Sequence, residues 1–170
     1  LKNPLWITRG RVPTGRLGGT LVSIELVRYP DVFLRKVSKD VDFPLDDKIN
    51  RLITWMTRAM YQHNGIGLAA IQVGYDVRMF VMDCTRYQGK PQVFINPKIV
   101  KNSEETITDS EGCLSAPGKQ GEVKRYIRIT LNYKDEKGDE QQKTFYNLEA
   151  RCIQHEMDHL EGKLCIDYEK

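Results

Sequence analysis

Apolar side chains recur at Ile49, Leu52, Ile53, Met56 and Met60, a three-and-four spacing that places them on one helical face. Asp47 to Tyr61 is therefore expected to be an amphipathic helix. Asp46 stands in the N-cap position, and His63-Asn64-Gly65 ends the pattern. Further along, the period changes to two. Ile127, Ile129, Leu131 and Tyr133 alternate with Arg128, Thr130 and Asn132, which predicts a half-buried strand over Tyr126 to Tyr133. Asp135 to Asp139, with Gly138, reads as a hairpin turn, and Gln141 to Tyr146 as the returning strand. Apolar runs at Val77 to Asp83 and Gln92 to Ile95 predict two more strands, the second closing at Asn96-Pro97. Val100 to Thr108 adds short strands, and Val32 to Lys36 one helical turn after Tyr29-Pro30-Asp31. A second helix is expected from Leu148 to Leu160, stopped by Gly162, and a last strand at Leu164 to Tyr168. Two helices with several short antiparallel strands make an α+β fold, the strands packed around the second helix.

Composition narrows the class. A chain of 170 residues with 40% hydrophobic and 29% charged residues suits one soluble globular domain. No run of about 18 apolar residues occurs, so a spanning helix is not expected. The 26 basic and 23 acidic residues leave +3, but Lys2, Arg9, Arg11 and Arg16 all lie in the first 24 residues, where no acid occurs. The remainder carries 22 basic against 23 acidic residues, or −1, which lacks the basic face a nucleic-acid module needs. Residues 1–21 are an atypical basic extension with no helical or strand period and no secretory signal pattern. They read as a vector remnant, a transit remnant or a genuine arm. Residues 22–170 are expected to form one catalytic domain. Cys84, Cys113, Cys152 and Cys165 are too scattered for a disulfide framework, so a reducing compartment is expected.

The chemistry concentrates in His155-Glu156-Met157-Asp158-His159. Residues four apart share a helical face, so both imidazoles can reach one metal ion. Glu156, one step round the helix, is placed to exchange a proton with an activated water. The chain has three histidines, and two of them form this motif. A catalytic site needs about three protein ligands and an open position. Glu161 lies two positions past His159, on the wrong face, so the third ligand must come from elsewhere. Cys113 stands out, in the turn-like loop Glu111-Gly112-Cys113-Leu114-Ser115. Cys84 and Cys165 sit in apolar runs and read as core. Cys152, one turn before His155, reads as a pocket wall or as a ligand.

Three segments together resemble one family. Gly65-Ile66-Gly67-Leu68-Ala69-Ala70-Ile71-Gln72, Glu111-Gly112-Cys113-Leu114-Ser115 and Gln154-His155-Glu156-Met157-Asp158-His159-Leu160-Glu161-Gly162 are similar to the three motifs of peptide deformylases, in the same order. The resemblance implies removal of the N-formyl group from the initiator methionine of nascent peptides. It implies Cys113, His155 and His159 as ligands of one divalent ion, with Fe(II) in the cell and Zn(II) or Ni(II) able to occupy the isolated protein. Glu156 would be the general acid/base. Gln72, through its amide, and Leu114, through its backbone N–H, would stabilise the oxyanion, at about 3–4 kcal/mol each by analogy with other oxyanion holes. The peptide would lie extended along Ile66-Gly67, with its methionine in a pocket near Ile66, Leu148 and Cys152. Gly65 would permit close backbone approach, and Glu111 would pair with Arg125 behind the cysteine. The implied partners are formyl-methionyl nascent chains and, transiently, the ribosome exit region, with no membrane and no specific nucleic acid. The implied compartment is a bacterial or phage-infected cytoplasm, or else an organelle stroma or matrix.

The chain departs from the pattern in places. Arg151 stands where an apolar pocket residue is common, and Ala116 where a larger apolar residue is usual. Many bacterial members continue into a C-terminal helix beyond the point matching Lys170, so this chain is expected to be truncated or of a shorter type. Rival readings are weaker. Gly65-Ile-Gly67-Leu-Ala-Ala70 fits a dinucleotide fingerprint, but a helix precedes and a strand follows, the reverse of what that motif needs. A zinc endopeptidase does not take a distant Cys as third ligand. A structural metal site would close with a fourth protein ligand, such as Cys152 or Asp158.

Overall fold

The computed structural model describes residues 25–85 and 89–168. The expected extension at residues 1–21 lies outside them. Helix α1 (Asp47–Gln62) begins at Asp46, whose carboxylate accepts the Ile49 backbone N–H at 2.8 Å. That bond satisfies a donor which a helix start leaves bare. The buried face is Leu52, Ile53, Met56, Ala59 and Met60, as the spacing required.

Seven strands follow: β1 (Gly67–Ala69), β2 (Met79–Met82), β3 (Gln92–Asn102), β4 (Thr106–Cys113), β5 (Ala116–Tyr126), β6 (Arg128–Lys134) and β7 (Glu140–Tyr146). All their pairings are antiparallel. Five form a sheet in the order β1-β2-β3-β6-β7, and β4 and β5 make a separate ribbon. Helix α2 (Asn147–Leu160) follows β7 directly.

The sheet has apolar packing on both faces at its β1-β2 end. Met79 and Val81 join the cluster built with α1, while Phe80 and Met82 join the cluster built with Ala150, Ile153 and Leu160 of α2. This explains why β2 is a continuous apolar run rather than an alternating one. Phe94 stacks on Phe80 with ring centroids 4.7 Å apart and meets Phe145 edge-on at 5.7 Å.

Several expectations need correction. The strands are not uniformly short, since β3 and β5 each run to 11 residues. Strand β3 passes through Asn96-Pro97 instead of stopping there, and shifts register between Ile95 and Lys98. An irregularity of this kind accommodates a proline that has no N–H for the ladder. The strand expected over Tyr126 to Tyr133 is divided at Ile127 into the end of β5 and the start of β6. Leu164 to Tyr168 is not a strand: Cys165–Tyr168 is a 3₁₀ turn. The Asp167 carboxylate accepts the Leu164 N–H at 2.8 Å and pairs with Arg35, and this local bonding competes with extension.

Helix α2 ends as Gly162 predicts. Gly162 has φ +70°, and a side chain there would collide with the Arg35 carbonyl. Ala150, Ile153 and Leu160 of α2 face the apolar core of the sheet. The other side of the helix meets the ribbon, and there Arg151, His155 and His159 are buried, while Glu156, also buried, lies against Gly67 of β1. The Gln154 amide binds the Tyr126 main chain at both N–H (3.0 Å) and C=O (2.8 Å), so helix and ribbon are keyed together.

Candidate active site

Cys113 closes β4, and His155 and His159 lie one turn apart on α2. Their ligating atoms all lie within 4.8 Å of one another. Cys113 Sγ is 3.2 Å from His159 Nε2. Cys113 is not in a free loop, as its sequence setting had implied. It ends a strand whose register shifts between Gly112 and Cys113 and which returns at once as β5. Such a shift re-aims a side chain.

Behind the cluster, Glu111 is completely buried and fully bonded. Its Oε2 receives Arg125 Nη2 and faces His155 Nδ1, both at 2.9 Å. Its Oε1 receives Arg125 Nε at 2.9 Å and Arg151 Nη1 at 2.8 Å. Burial alone would raise the Glu111 carboxyl, but hydrogen bonds from Arg125 and His155 outweigh it and hold it at about 2. Its contact with Nδ1 leaves Nε2 as the His155 nitrogen available to the cluster, which fixes the ring orientation. Arg125 continues to Asp158 at 2.7 Å, and Tyr168 also donates to Asp158, at 3.0 Å. Arg151 does not stand at a pocket rim. Besides Glu111 it donates to the Val123 carbonyl at 2.9 Å and the Ile107 carbonyl at 2.6 Å, which fastens both ribbon strands to α2.

In front of the cluster lies a small cavity lined by Gly65, Ile66, Gly67, Gln72, Cys113, Leu114, Cys152, His155 and Glu156 among others. Burial pushes the Glu156 carboxyl up to about 7, with the His155 charge opposing. Its Oε2 is buried without a hydrogen-bond partner. The glycines explain how β1 comes so close to α2. A Cβ on Gly67 would strike Glu156 Oε1 and come within 2.8 Å of Cys152 Sγ. A Cβ on Gly65 would come within 2.6 Å of the Leu114 side chain. Cys152 makes its thiol contact with the Ile66 carbonyl at 3.8 Å and stays outside the ligand cluster. Leu148 is not among the cavity residues; it packs, half-buried, against the core on the α2 side. Ser115 was quoted within a motif but given no role, and it is completely buried against Gln72.

One thiol and two imidazoles are a donor set that suits zinc, iron or nickel. The buried, unpartnered Glu156 oxygen beside them fits the same purpose. Cys152 and Asp158 are engaged elsewhere, so the described residues do not close the site with a fourth ligand.

A family model described as polypeptide deformylase matches residues 23–170. The chain belongs to the peptide deformylase family. That family removes the N-formyl group from nascent peptides and depends on a metal ion. A peptide deformylase of Rhizobium meliloti is 48% identical over 145 residues, covering 84% of this chain and 83% of the relative. Among solved structures, a Synechococcus elongatus peptide deformylase in complex with actinonin shares 41% identity with a TM-score of 0.82, over 86% of this chain and 80% of that one. The Thermotoga maritima peptide deformylase shares 37% identity with a TM-score of 0.81, over 88% and 99%. Among the described residues, no helix is long and apolar enough to cross a membrane.

Proposed function

We propose that this chain hydrolyses the formyl amide of formyl-methionyl peptides in the cavity between β1, the β4-β5 turn and α2. The carrying observation is that the Cys113, His155 and His159 donors, the unpartnered Glu156 oxygen and the Gln72 amide all converge there. Cys113, His155 and His159 hold one divalent ion, Fe(II) in the cell, which Zn(II) or Ni(II) can replace in the isolated protein. When bound, such an ion supplies Lewis acidity and brings the pKa of water towards about 7.

The remaining work falls to the chain. Glu156 takes the proton of the attacking water at Oε2 and delivers it to the departing peptide nitrogen as the formyl C–N bond breaks. A carboxyl with a pKa of about 7 is suited to both halves of that transfer. The Gln72 amide and the Leu114 N–H donate to the oxygen that gains charge. The peptide extends along Ile66 and Gly67 and adds to β1, which among the described residues has β2 as its single sheet neighbour. Its methionine packs against Ile66 and Cys152, with Leu148 further along α2. Residues 22–170 are the catalytic domain. The setting is a cytoplasm or organelle interior where formylated chains leave the ribosome.

The test is anaerobic purification, metal analysis and formate release from a formyl-Met peptide. Wild type should carry about one metal ion per chain and release formate. Glu156→Gln should keep the metal and lose about 10²–10⁴-fold in turnover. Full activity in that variant would overturn the assignment. Cys113→Ala should lower metal content, and unchanged stoichiometry would remove Cys113 from the ligand set.

A further inference from the structure

The Gln72 side chain is held at both ends, and the geometry decides which end is which. The Ala69 backbone N–H lies 2.9 Å from one amide atom, and a backbone N–H can only donate, so that atom is the oxygen. The nitrogen therefore points the other way. It lies 3.1 Å from Ser115 Oγ and 3.6 Å from Cys113 Sγ. An amide nitrogen carries two hydrogens. One is donated to the Ser115 hydroxyl, and the other points to Cys113 Sγ on the wall of the cavity.

The two residues are also joined through the main chain. The Val27 N–H donates to the Gln72 carbonyl, and the Tyr29 N–H donates to the Ser115 carbonyl, both at 2.8 Å. Leu26 anchors this strap in the α1-side core. The short segment from Val27 to Tyr29 thus sets the spacing between the turn that carries Gln72 and the turn that carries Leu114 and Ser115.

The structure assigns Ser115 as a positioning residue: its buried hydroxyl accepts one Gln72 amide hydrogen and so aims the other at the reacting carbonyl. This rests on the hydrolysis proposed above. Ser115 touches no substrate; it acts through Gln72. Without the hydroxyl, the Gln72 amide keeps its Ala69 tether but loses the contact that fixes its rotation. The thiol of Cys113 becomes the nearest acceptor for both hydrogens.

The experiment is a double-mutant cycle with an independent spectroscopic arm. Ser115→Ala should lower kcat about tenfold, a fraction of the 10²–10³ lost with a whole oxyanion donor, with KM and metal content unchanged. In a Gln72→Ala background the same change should cost no further turnover. In ¹H–¹⁵N spectra, the Gln72 side-chain pair, assigned by its loss in Gln72→Ala, should shift and exchange faster in Ser115→Ala. Ser115→Gly carries the same readouts if the alanine variant folds poorly, and Ser115→Thr, which keeps the hydroxyl, should retain the wild-type pair. Equal losses in both backgrounds, or an unmoved amide pair, would overturn the assignment. A wild type that releases no formate would instead overturn the proposed hydrolysis, and the amide spectra would still decide the role of Ser115.

Discussion

The two sides of α2 are both buried, and they are built on opposite principles. On the sheet side, Ala150, Ile153 and Leu160 meet Phe80, Phe94 and Phe145 in an apolar cluster. On the ribbon side, Arg151 and His155 meet Glu111 and Arg125 in a network of charges. The first side is non-directional: apolar area leaves water, and the gain scales with area. The second side gives little net stability, because desolvating charges offsets most of their attraction. Its hydrogen bonds do something area cannot, which is to fix the angle of a histidine ring. One helix thus carries folding on one face and chemistry on the other.

Loss of aromatic packing should break this comparison most sharply. Phe94→Ala should destabilise by about 3–5 kcal/mol, read by denaturant unfolding, while the protein that remains folded binds metal in full. A large loss of metal affinity in that variant would show that the faces are not separable. On the other face, Glu111→Gln should weaken metal binding about 10–100-fold, measured by competition with a chelator. The same variant sharpens the comparison through pH. The folded Glu111 carboxyl sits at about 2, below its ordinary 4.5. A depressed carboxyl contributes stability that is present above pH 4.5 and lost as pH falls towards about 2. Wild-type stability should therefore decline through that window, and Glu111→Gln should flatten the decline. The smallest effect belongs to neither face. Asp46→Ala removes the α1 cap and should cost about 1 kcal/mol by thermal melt, with kcat unchanged.

The same division explains what could be read before the structure. Helix α1 and the β6-β7 hairpin were legible because their buried positions are apolar and periodic. The cluster of Cys113, His155 and His159 was legible because its residue types are scarce and two of them share a fixed helical spacing. The ribbon was not legible as such. Along β4 and β5 the buried positions include Glu111, Gly121 and Arg125, while Ile107 is 56% exposed, so hydropathy runs against burial. A buried charge becomes tolerable only when its partners arrive, and those of Glu111 come from 14 and 40 residues away. The place of Arg151 was not legible for the same reason. Its side chain is long enough to reach solvent or Glu111, and only the position of the ribbon decides between them. Cys113 was placed in a loop because the strand leading to it is polar.

Strand β1 has one further consequence. A strand edge open to a guest peptide is also open to other copies of the chain, which is how sheets begin to aggregate. Here the open edge belongs to a strand of three residues, walled by Glu156 on α2 and by Leu114 across from Gly65. In the proposed binding mode that span holds a substrate N-terminus, and it gives a neighbouring sheet almost no length to zip against. The brevity of β1 lets a protein that works among unfinished chains stay unentangled with them.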